Sequence, residues 1–458
     1  MAAFDVIVLG AGPGGYVCAI RAAQLGLSAA IVEPDELGGL CLNWGCIPSK
    51  ALLRNADVLN TINNAADFGI TVGSVDASLD QAITRSRRVV HRLVRGVTSL
   101  LRSNNVTVVN GRGTLLDSHR LLVDTEPEPL EANEAIVIAT GAQERAIPGL
   151  DVNGETVVTS REALERRDLP ERVLIIGGGA TGCEFAYFYR SYGSAVTLVE
   201  LMPNLLPGED TEITAALKDS LTRQGIEVLT ESRVNRLTSG GAELDVAGAS
   251  RIIPFDMALV AVGMQGRTEG LGLDAAGVAT GPGGYIECDD TMQTNIPGVY
   301  AIGDVTGPPL LAHAAMAQGV LAAEAIAGRE TQPLIKEDIP RAVYCHPQVA
   351  SMGITEAQAA ERGITVNVGR FPYRANGKAL SLDDYAGMIK VVSDAETGAL
   401  LGAQMVGPEC AELLGELSVA KLLEATPLEI GRAIHPHPTL SETLMEASLA
   451  AFGEAIHM

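Results

Sequence analysis

The sequence predicts an α/β fold: two Rossmann-like dinucleotide-binding domains, then a C-terminal α+β dimerisation domain. Three observations predict it. A stretch of strand, glycine turn, helix and strand occurs twice at one constant offset. Near residue 341 the apolar pattern changes from strands separated by helices to strands in direct succession, joined by turns. Finally, 458 residues exceed what one core usually serves, so three or four units are expected.

The two copies are DVIVLGAGPGGYVCAIRAAQLGLSAAIVEP, from Asp5, and RVLIIGGGATGCEFAYFYRSYGSAVTLVEL, from Arg172. Gly10, Gly12, Gly15, Gly26 and Glu33 correspond to Gly177, Gly179, Gly182, Gly193 and Glu200. A lone G-x-G-x-x-G is a weak signal. Set between strand and helix, with an acid ending the next strand, it is the dinucleotide-binding fingerprint. The first glycine makes the tight turn, the second lets the backbone approach a pyrophosphate, and the third lets helix pack on strand. The helix N-terminus turns N–H groups and its positive end toward the phosphates. Glu33 and Glu200 can each accept hydrogen bonds from ribose hydroxyls. The competing reading is two purely structural turns, and the repeated acid counts against it. Glu200 is followed by LMPNLL, with no Arg or Lys to meet a 2′-phosphate, so the second cofactor is expected to be NAD rather than NADP.

Beyond the first copy lies LGGLCLNWGCIPSK, residues 37–50, with Cys41 and Cys46 five positions apart. A structural zinc site usually shows a tighter pair and a second pair further on. A regular helix sends residues five apart to different sides, whereas a loop entering a helix can bring them together. The other cysteines, Cys18, Cys183, Cys288, Cys345 and Cys410, stand alone and read as small buried hydrophobes. Seven cysteines in this length are not a disulfide scaffold, and one close pair in a reducing compartment points to catalysis. A flavin is the natural relay between a disulfide and a nicotinamide, so the first site, beside the pair, is assigned the tightly held cofactor, FAD. No metal site is read from the sequence.

Residues 51–105 read as helices, with the basic residues of LDQAITRSRRVVHRLVRGVTSLLRSN on a solvated face. VTVVNGRGTLL, RLLVDTE and AIVIATGAQERAIPG read as strands, and MALVAVGMQG resembles the last of these. GVYAIGDV is a strand ending near Asp304, with a helix, LLAHAAMAQGVLAAEAIAG, after it. VASMGIT, VNVGRFPY and GMIKVVSDAETGALLGAQMVG follow as antiparallel strands, and then helices.

The net charge of −23 argues against nucleic acid and anionic membrane surfaces. No apolar run is long enough to span a membrane, and the N-terminus opens directly into a strand instead of a signal-peptide core. The expectation is a mature protein beginning at residue 1, in the cytoplasm.

GGLCLNWGCIPSK, the two fingerprints, ATG, YAIGDV, LLAHAAMAQG and HPHPTLSE together resemble the pyridine nucleotide–disulfide oxidoreductases, in family order over essentially the whole chain. The resemblance implies an FAD-binding domain at 1–145, an NAD-binding domain at 146–271, a central domain at 272–340 and an interface domain at 341–458. It is strongest to the branch that oxidises a dihydrolipoyl group on a partner protein and forms NADH. The partner would be the lipoyl domain of a 2-oxoacid dehydrogenase E2 component or a glycine cleavage H protein, and the enzyme a homodimer. By the same resemblance Cys41 is the interchange thiol of a redox disulfide and Cys46 the thiol facing the flavin. His437 is the base, held by Glu442, and Lys50 pairs with Glu184 near the flavin and nicotinamide. Asp304 binds the ribityl chain. The helix from about Ala312 and His313 aims its positive end at the flavin. Gly141, in ATG, and Gly263, in VGMQGR, line the cofactor sites. Two positions depart from the family: Met264 stands where arginine is usual, and Leu40 where threonine or valine is usual.

On the residues alone, HPHPTLSE has two readings: a catalytic His437 with its carboxylate, or a rigid loop whose Thr439 and Glu442 form a T-x-x-E capping box. His435 is read as structural. The alternatives for the whole chain are another flavin-dependent disulfide reductase, a flavin oxidase or diaphorase, and a docking subunit with an idle site.

Overall fold

The computed structural model describes residues 2–238 and 240–458. They form two compact units, each assembled from separate stretches of chain. The first unit holds the chain up to Ala51, Gln81–Arg145 and Gly263–Lys336, and the second holds Leu52–Asp80, Ala146–Val262 and Glu337–Met458. Residues 52–80 therefore join the second unit although they follow the cysteines directly. Residues 263–271 join the first, where strand Met264–Gly266 pairs with Ala142–Glu144.

In the first unit, strand Ala3–Leu9 lies between Ala29–Glu33 and Leu130–Ile138, all parallel. Thr107–Asn110 and Val299–Ala301 extend the parallel sheet, and Arg120–Val123 and Gly113–Leu115 continue it antiparallel. Val6 and Val8 enter one core and Ile7 and Leu9 the other. Successive side chains alternate across a strand, and both faces are covered, which is why VIVL reads as an unbroken apolar run. Helices Pro13–Gln24 and Ala312–Ile326 pack tightly against each other. A Cβ added at Gly14 would stand 2.9 Å from the Ala315 carbonyl oxygen, and one at Gly319 2.5 Å from that of Gly14. Arg21 donates to Glu324 across the same contact at 3.0 Å.

The second unit repeats the parallel plan. Arg172–Ile176 lies between Ala195–Val199 and Met257–Val260, with Glu227–Leu229 and Val157–Val158 outermost. Strands Ser232–Thr238, Gly241–Val246 and Ala249–Ile253 form an antiparallel sheet that the sequence did not announce. From residue 341 the expected antiparallel sheet appears, in the order Arg341–Val343, Gln348–Gly353, Leu400–Gly407, Met388–Asp394, Val366–Pro372. Helices Cys410–Leu422, Pro427–Arg432 and Glu442–Ala450 contribute to its core. Lys390, 2% exposed in that sheet, lies 2.8 Å from Asp210, Glu212 and Glu356. A buried ammonium is tolerable only when so paired. The ion group ties helix Thr211–Arg223 of the nucleotide fold to the C-terminal sheet. Among the described residues, no helix is long and apolar enough to cross a membrane.

Candidate active site

Residues 37–50 fold as two helices broken at one residue. Gly38 and Gly39 take positive φ, 92° and 57°, and turn the chain into the short helix Gly39–Trp44. Gly45 ends it with φ −140° and ψ −113°, and helix Cys46–Asn63 starts at the next residue. A continuous helix would part Cys41 from Cys46. The break brings their side chains into hydrogen-bond contact, as free thiols. That shared hydrogen bond, and then burial, hold the Cys41 thiol above its ordinary range, against the pull of the Lys50 ammonium. Cys46 stands at the N-terminus of an 18-residue helix, where negative charge is favoured, and Lys50 follows one turn later.

The cysteine segment is pressed onto the first glycine turn. A Cβ at Gly39 would lie 2.7 Å from Gly12 Cα, and the Gly38 N–H donates to the Ala11 carbonyl at 2.9 Å. Asn43 fixes the short helix by donating to the Leu37 and Gly39 carbonyls, each at 3.0 Å. Gly39 and Asn43 were not singled out from the sequence. Only the doubled glycine before Cys41 could have hinted at the close approach.

The two glycine turns are built alike. Gly10 and Gly177 take φ of 108° and 110°. A Cβ there would stand 2.4 Å and 2.2 Å from the carbonyl oxygens of Ala139 and Ala261. At Gly15 and Gly182 it would stand 2.0 Å and 1.9 Å from the Gly10 and Gly177 oxygens, so both must be glycine. At Gly12 and Gly179, the N-caps of the two helices, it would meet nothing within 4 Å, and no side chain caps either helix. An uncapped helix end beside open space is what a pyrophosphate requires. Each acid closes its own turn: Glu33 accepts from the Ala11 N–H at 2.7 Å and Glu200 from the Gly178 N–H at 2.6 Å. Burial raises the Glu33 carboxyl, and the Ala11 and Asp35 N–H groups partly offset it.

Asp304 lies in the turn Gly303–Thr306, after strand Val299–Ala301. Burial alone pushes its carboxyl up to about 6, and among the described residues no donor holds it down. It lacks the hydrogen bonds that a ligand's hydroxyls would supply. Gln318, buried, accepts from the Gly303 N–H at 2.6 Å and so fixes this turn to helix Ala312–Ile326, whose start no side chain caps. These donors and acceptors fit a flavin dinucleotide at the first turn. Gly141 and Gly263 take φ of 75° and 102°, with open space where a side chain would be. Arg267 donates its N–H to Gly141 at 3.0 Å, and Arg145 donates its N–H to Gly263 at 3.1 Å. Met264 sits in the strand paired with Ala142–Glu144.

In the second unit, Glu184 is buried on helix Ala180–Ser191 and accepts from the Tyr344 N–H at 3.0 Å. His437 is 78% exposed, with Nδ1 2.8 Å from Glu442 Oε1. The other Glu442 oxygen accepts from the Thr439 N–H at 2.8 Å. Burial works to raise the Glu442 carboxyl, but Thr439 and His437 hold it below the usual range. Only half a capping box forms, because the Thr439 hydroxyl donates to the Pro436 carbonyl at 2.7 Å and the helix starts at Glu442. Glu442 thus both closes the turn and orients the histidine. His435 makes a second such pair, with Nε2 2.8 Å from Glu416. Its partner lies 19 residues away on helix Cys410–Leu422, too far for the sequence to suggest.

Residues 4–319 match the family described as pyridine nucleotide-disulphide oxidoreductase, and residues 339–448 match the dimerisation domain of that family. The chain belongs to this family, whose cofactors are FAD and NAD(H). Over its whole length it is similar to dihydrolipoyl dehydrogenases. That of Zymomonas mobilis is 47% identical and that of Rhizobium etli 45%, each comparison covering 99% of both chains. The crystal structure of LpdA from Mycobacterium tuberculosis matches with a TM-score of 0.90 at 27% identity, covering 98% of this chain and 99% of that one.

Proposed function

We propose that the chain acts as a dihydrolipoyl dehydrogenase, moving two electrons from a protein-bound dihydrolipoyl group through the Cys41–Cys46 pair to NAD+. The observation that carries this reading is the helix break at Gly45, which sets the two thiols together against the first glycine turn. FAD supplies the two-electron relay between dithiol and nicotinamide. Gly10, Gly12, Gly15 and Glu33 would hold its dinucleotide, Asp304 its ribityl hydroxyls, and the helix from Ala312 its ring. Gly177, Gly179, Gly182 and Glu200 would hold NAD, with Lys50, Gly141 and Gly263 assigned to cofactor contacts in the first unit and Glu184 to the nicotinamide side of the second.

His437, its Nδ1 engaged by Glu442, uses Nε2 to take the proton of a dihydrolipoyl thiol. The thiolate attacks the Cys41 sulfur of the disulfide, a lipoyl–Cys41 bond forms, and Cys46 leaves as thiolate with the electron pair. The second lipoyl sulfur then displaces Cys41 and closes the lipoyl disulfide. Two electrons and two protons have moved to the cysteine pair and its base. Their return as hydride to NAD+ and one free proton restores the disulfide and gives NADH. In the homodimer we propose, His437 and Glu442 of one subunit serve the cysteine pair of the other, and the substrate arm comes from an E2 lipoyl domain or an H protein in the cytoplasm.

The test is NADH formation from dihydrolipoamide and NAD+ by the purified yellow protein. His437→Ala should lower kcat by about a hundredfold to ten-thousandfold while the flavin spectrum is kept. A flavin-loaded wild type that forms no NADH would reject the activity, and an unchanged His437→Ala would reject the base.

A further inference from the structure

Helix Leu79–Ser103 carries six arginines and one acid in 25 residues, within a chain that has 33 basic and 56 acidic side chains. Its buried residues, Ala82, Ile83, Ser86, Val90, Val97 and Leu101, define one face. At about 100° per residue, Arg88, Arg92, Arg95 and Arg102 fall on the opposite face, over a length of about 21 Å. All four are exposed, and among the described residues none makes a hydrogen bond or ion pair. Some exposed arginines elsewhere sit on carboxylates, as Arg120 on Asp117, Arg172 on Asp256 and Arg236 on Glu243, and others such as Arg112, Arg223 and Arg233 stand singly, whereas here four are gathered on one helix face. A plain solvated face on so acidic a protein would more readily carry mixed charge.

The same helix is fastened to the cysteine segment. Arg85 donates to the Ala51 carbonyl at 3.0 Å, Ser86 to Pro48 at 3.1 Å, and Arg87 to the carbonyl of Asn43, two residues from Cys41, at 2.5 Å. The unpaired arginines begin at the next residue and run along the outward face. A positive stripe therefore runs along the outward side of the helix that is fastened to the cysteine segment, on a molecule whose overall field repels anions.

We propose that Arg88, Arg92, Arg95 and Arg102 form the docking surface for an acidic face of the lipoyl-bearing partner protein, an inference that rests on the activity proposed above. The overall charge of −23 disfavours approach of an acidic domain from most directions. The stripe attracts it along one line, and so holds it on the helix that is fastened to the cysteine segment. Contacts of this kind act mainly on the rate of association and its salt dependence.

Two substrates separate the docking surface from the chemistry: free dihydrolipoamide, which has no protein face, and a reduced recombinant lipoyl domain from the source organism. Compare wild type with the triple variant Arg88→Gln, Arg92→Gln, Arg95→Gln, and with Lys at the same three positions. The Gln variant should keep kcat and KM for free dihydrolipoamide. Its kcat/KM for the lipoyl domain should fall about tenfold at low ionic strength, with a flatter dependence on salt. The Lys variant should recover most of the loss. Equal kcat/KM for the lipoyl domain in wild type and Gln variant, or an equal loss on both substrates, overturns the docking surface. A wild type that turns over neither substrate removes the underlying activity.

Discussion

The two glycine cradles have nearly the same backbone and different neighbours. Their first glycines differ in φ by two degrees, 108° against 110°, and their acids close the turn at 2.7 Å and 2.6 Å. The first cradle is walled by the cysteine segment at Gly12 and by helix Ala312–Ile326 at Gly14. The second is bordered by Leu205 and Glu200 at Gly178, and its helix buries Phe185, Phe188 and Tyr189 in a core. The fingerprint therefore fixes only how a pyrophosphate is met. What the bound nucleotide does is set by what is packed against the turn. A redox pair and a carboxyl raised by burial suit a resident flavin, and an unadorned turn suits a coenzyme that comes and goes.

The largest effects should come from the third glycines. Ala at Gly15 or Gly182 puts a methyl group 2.0 Å or 1.9 Å from a backbone oxygen, and backbone cannot swing away. The strain is equal but the readouts differ. Gly15→Ala should give colourless, poorly folded protein. Gly182→Ala should stay yellow yet reduce NAD+ at least about a hundredfold more slowly, as expected when about 3 kcal/mol of transition-state binding is lost. A yellow Gly15→Ala with normal flavin content would break the comparison.

Cys41→Ser removes what distinguishes the first cradle. Oxidation of dihydrolipoamide should fall by at least about a thousandfold. Reduction of an artificial quinone by NADH needs both cradles but not the disulfide, and should remain within a fewfold of wild type. If the two activities fall together, the cysteine segment supports the cradle itself, and the pair is not the separable addition described here.

Asp304 sharpens the contrast, since its turn is fixed to helix Ala312–Ile326, which walls the first cradle. Folding raises its carboxyl from 3.8 to about 6, by burial. Between those values the unfolded chain has released a proton that the folded chain keeps, so flavin-free protein loses stability as pH rises through the window. Above it the full cost, about 3 kcal/mol, is in place. Asp304→Asn should therefore make flavin-free protein more stable at pH 7 by up to that amount, with the gain vanishing below about pH 4. The same change should weaken flavin binding, measured by titration. Equal stability of the two flavin-free proteins across this range would show that the carboxyl finds its partners inside the protein.

Much of this was legible in the sequence because glycine spacing and strand periodicity are local. Gly10, Gly12 and Gly15 encode a turn with no help from distant chain, and so do their three counterparts. The close cysteine pair was equally plain. Their meeting was not, because it depends on the ψ of Gly45. The Lys390 ion group joins residues about 180 positions apart, and the bareness of Asp304 is a property of its surroundings. The pairing of His437 with Glu442 fell between these cases. Its spacing allowed both a cap and an orienting carboxylate, and the two oxygens of Glu442 divide those tasks.

The smallest effect tests the acids that make the cradles look alike. Glu33 and Glu200 each use a second oxygen on the residue two positions on, Asp35 at 2.9 Å and Met202 at 2.8 Å. Gln in place of either keeps the shape, loses the charge and turns an NH2 group toward one of two backbone donors. Leaving that donor unpaired costs about 1–3 kcal/mol. In the first cradle the cost should appear as faster flavin loss on heating, with the choice between NADH and NADPH unchanged. In the second, Glu200→Gln removes the negative charge that would face a 2′-phosphate. Two unit charges a few ångströms apart in a wet site repel by about 1 kcal/mol, so the preference for NADH, read as a ratio of kcat/KM values, should fall by about fivefold to tenfold. A shift in that ratio from Glu33→Gln and none from Glu200→Gln would mean that the two cradles hold the opposite nucleotides.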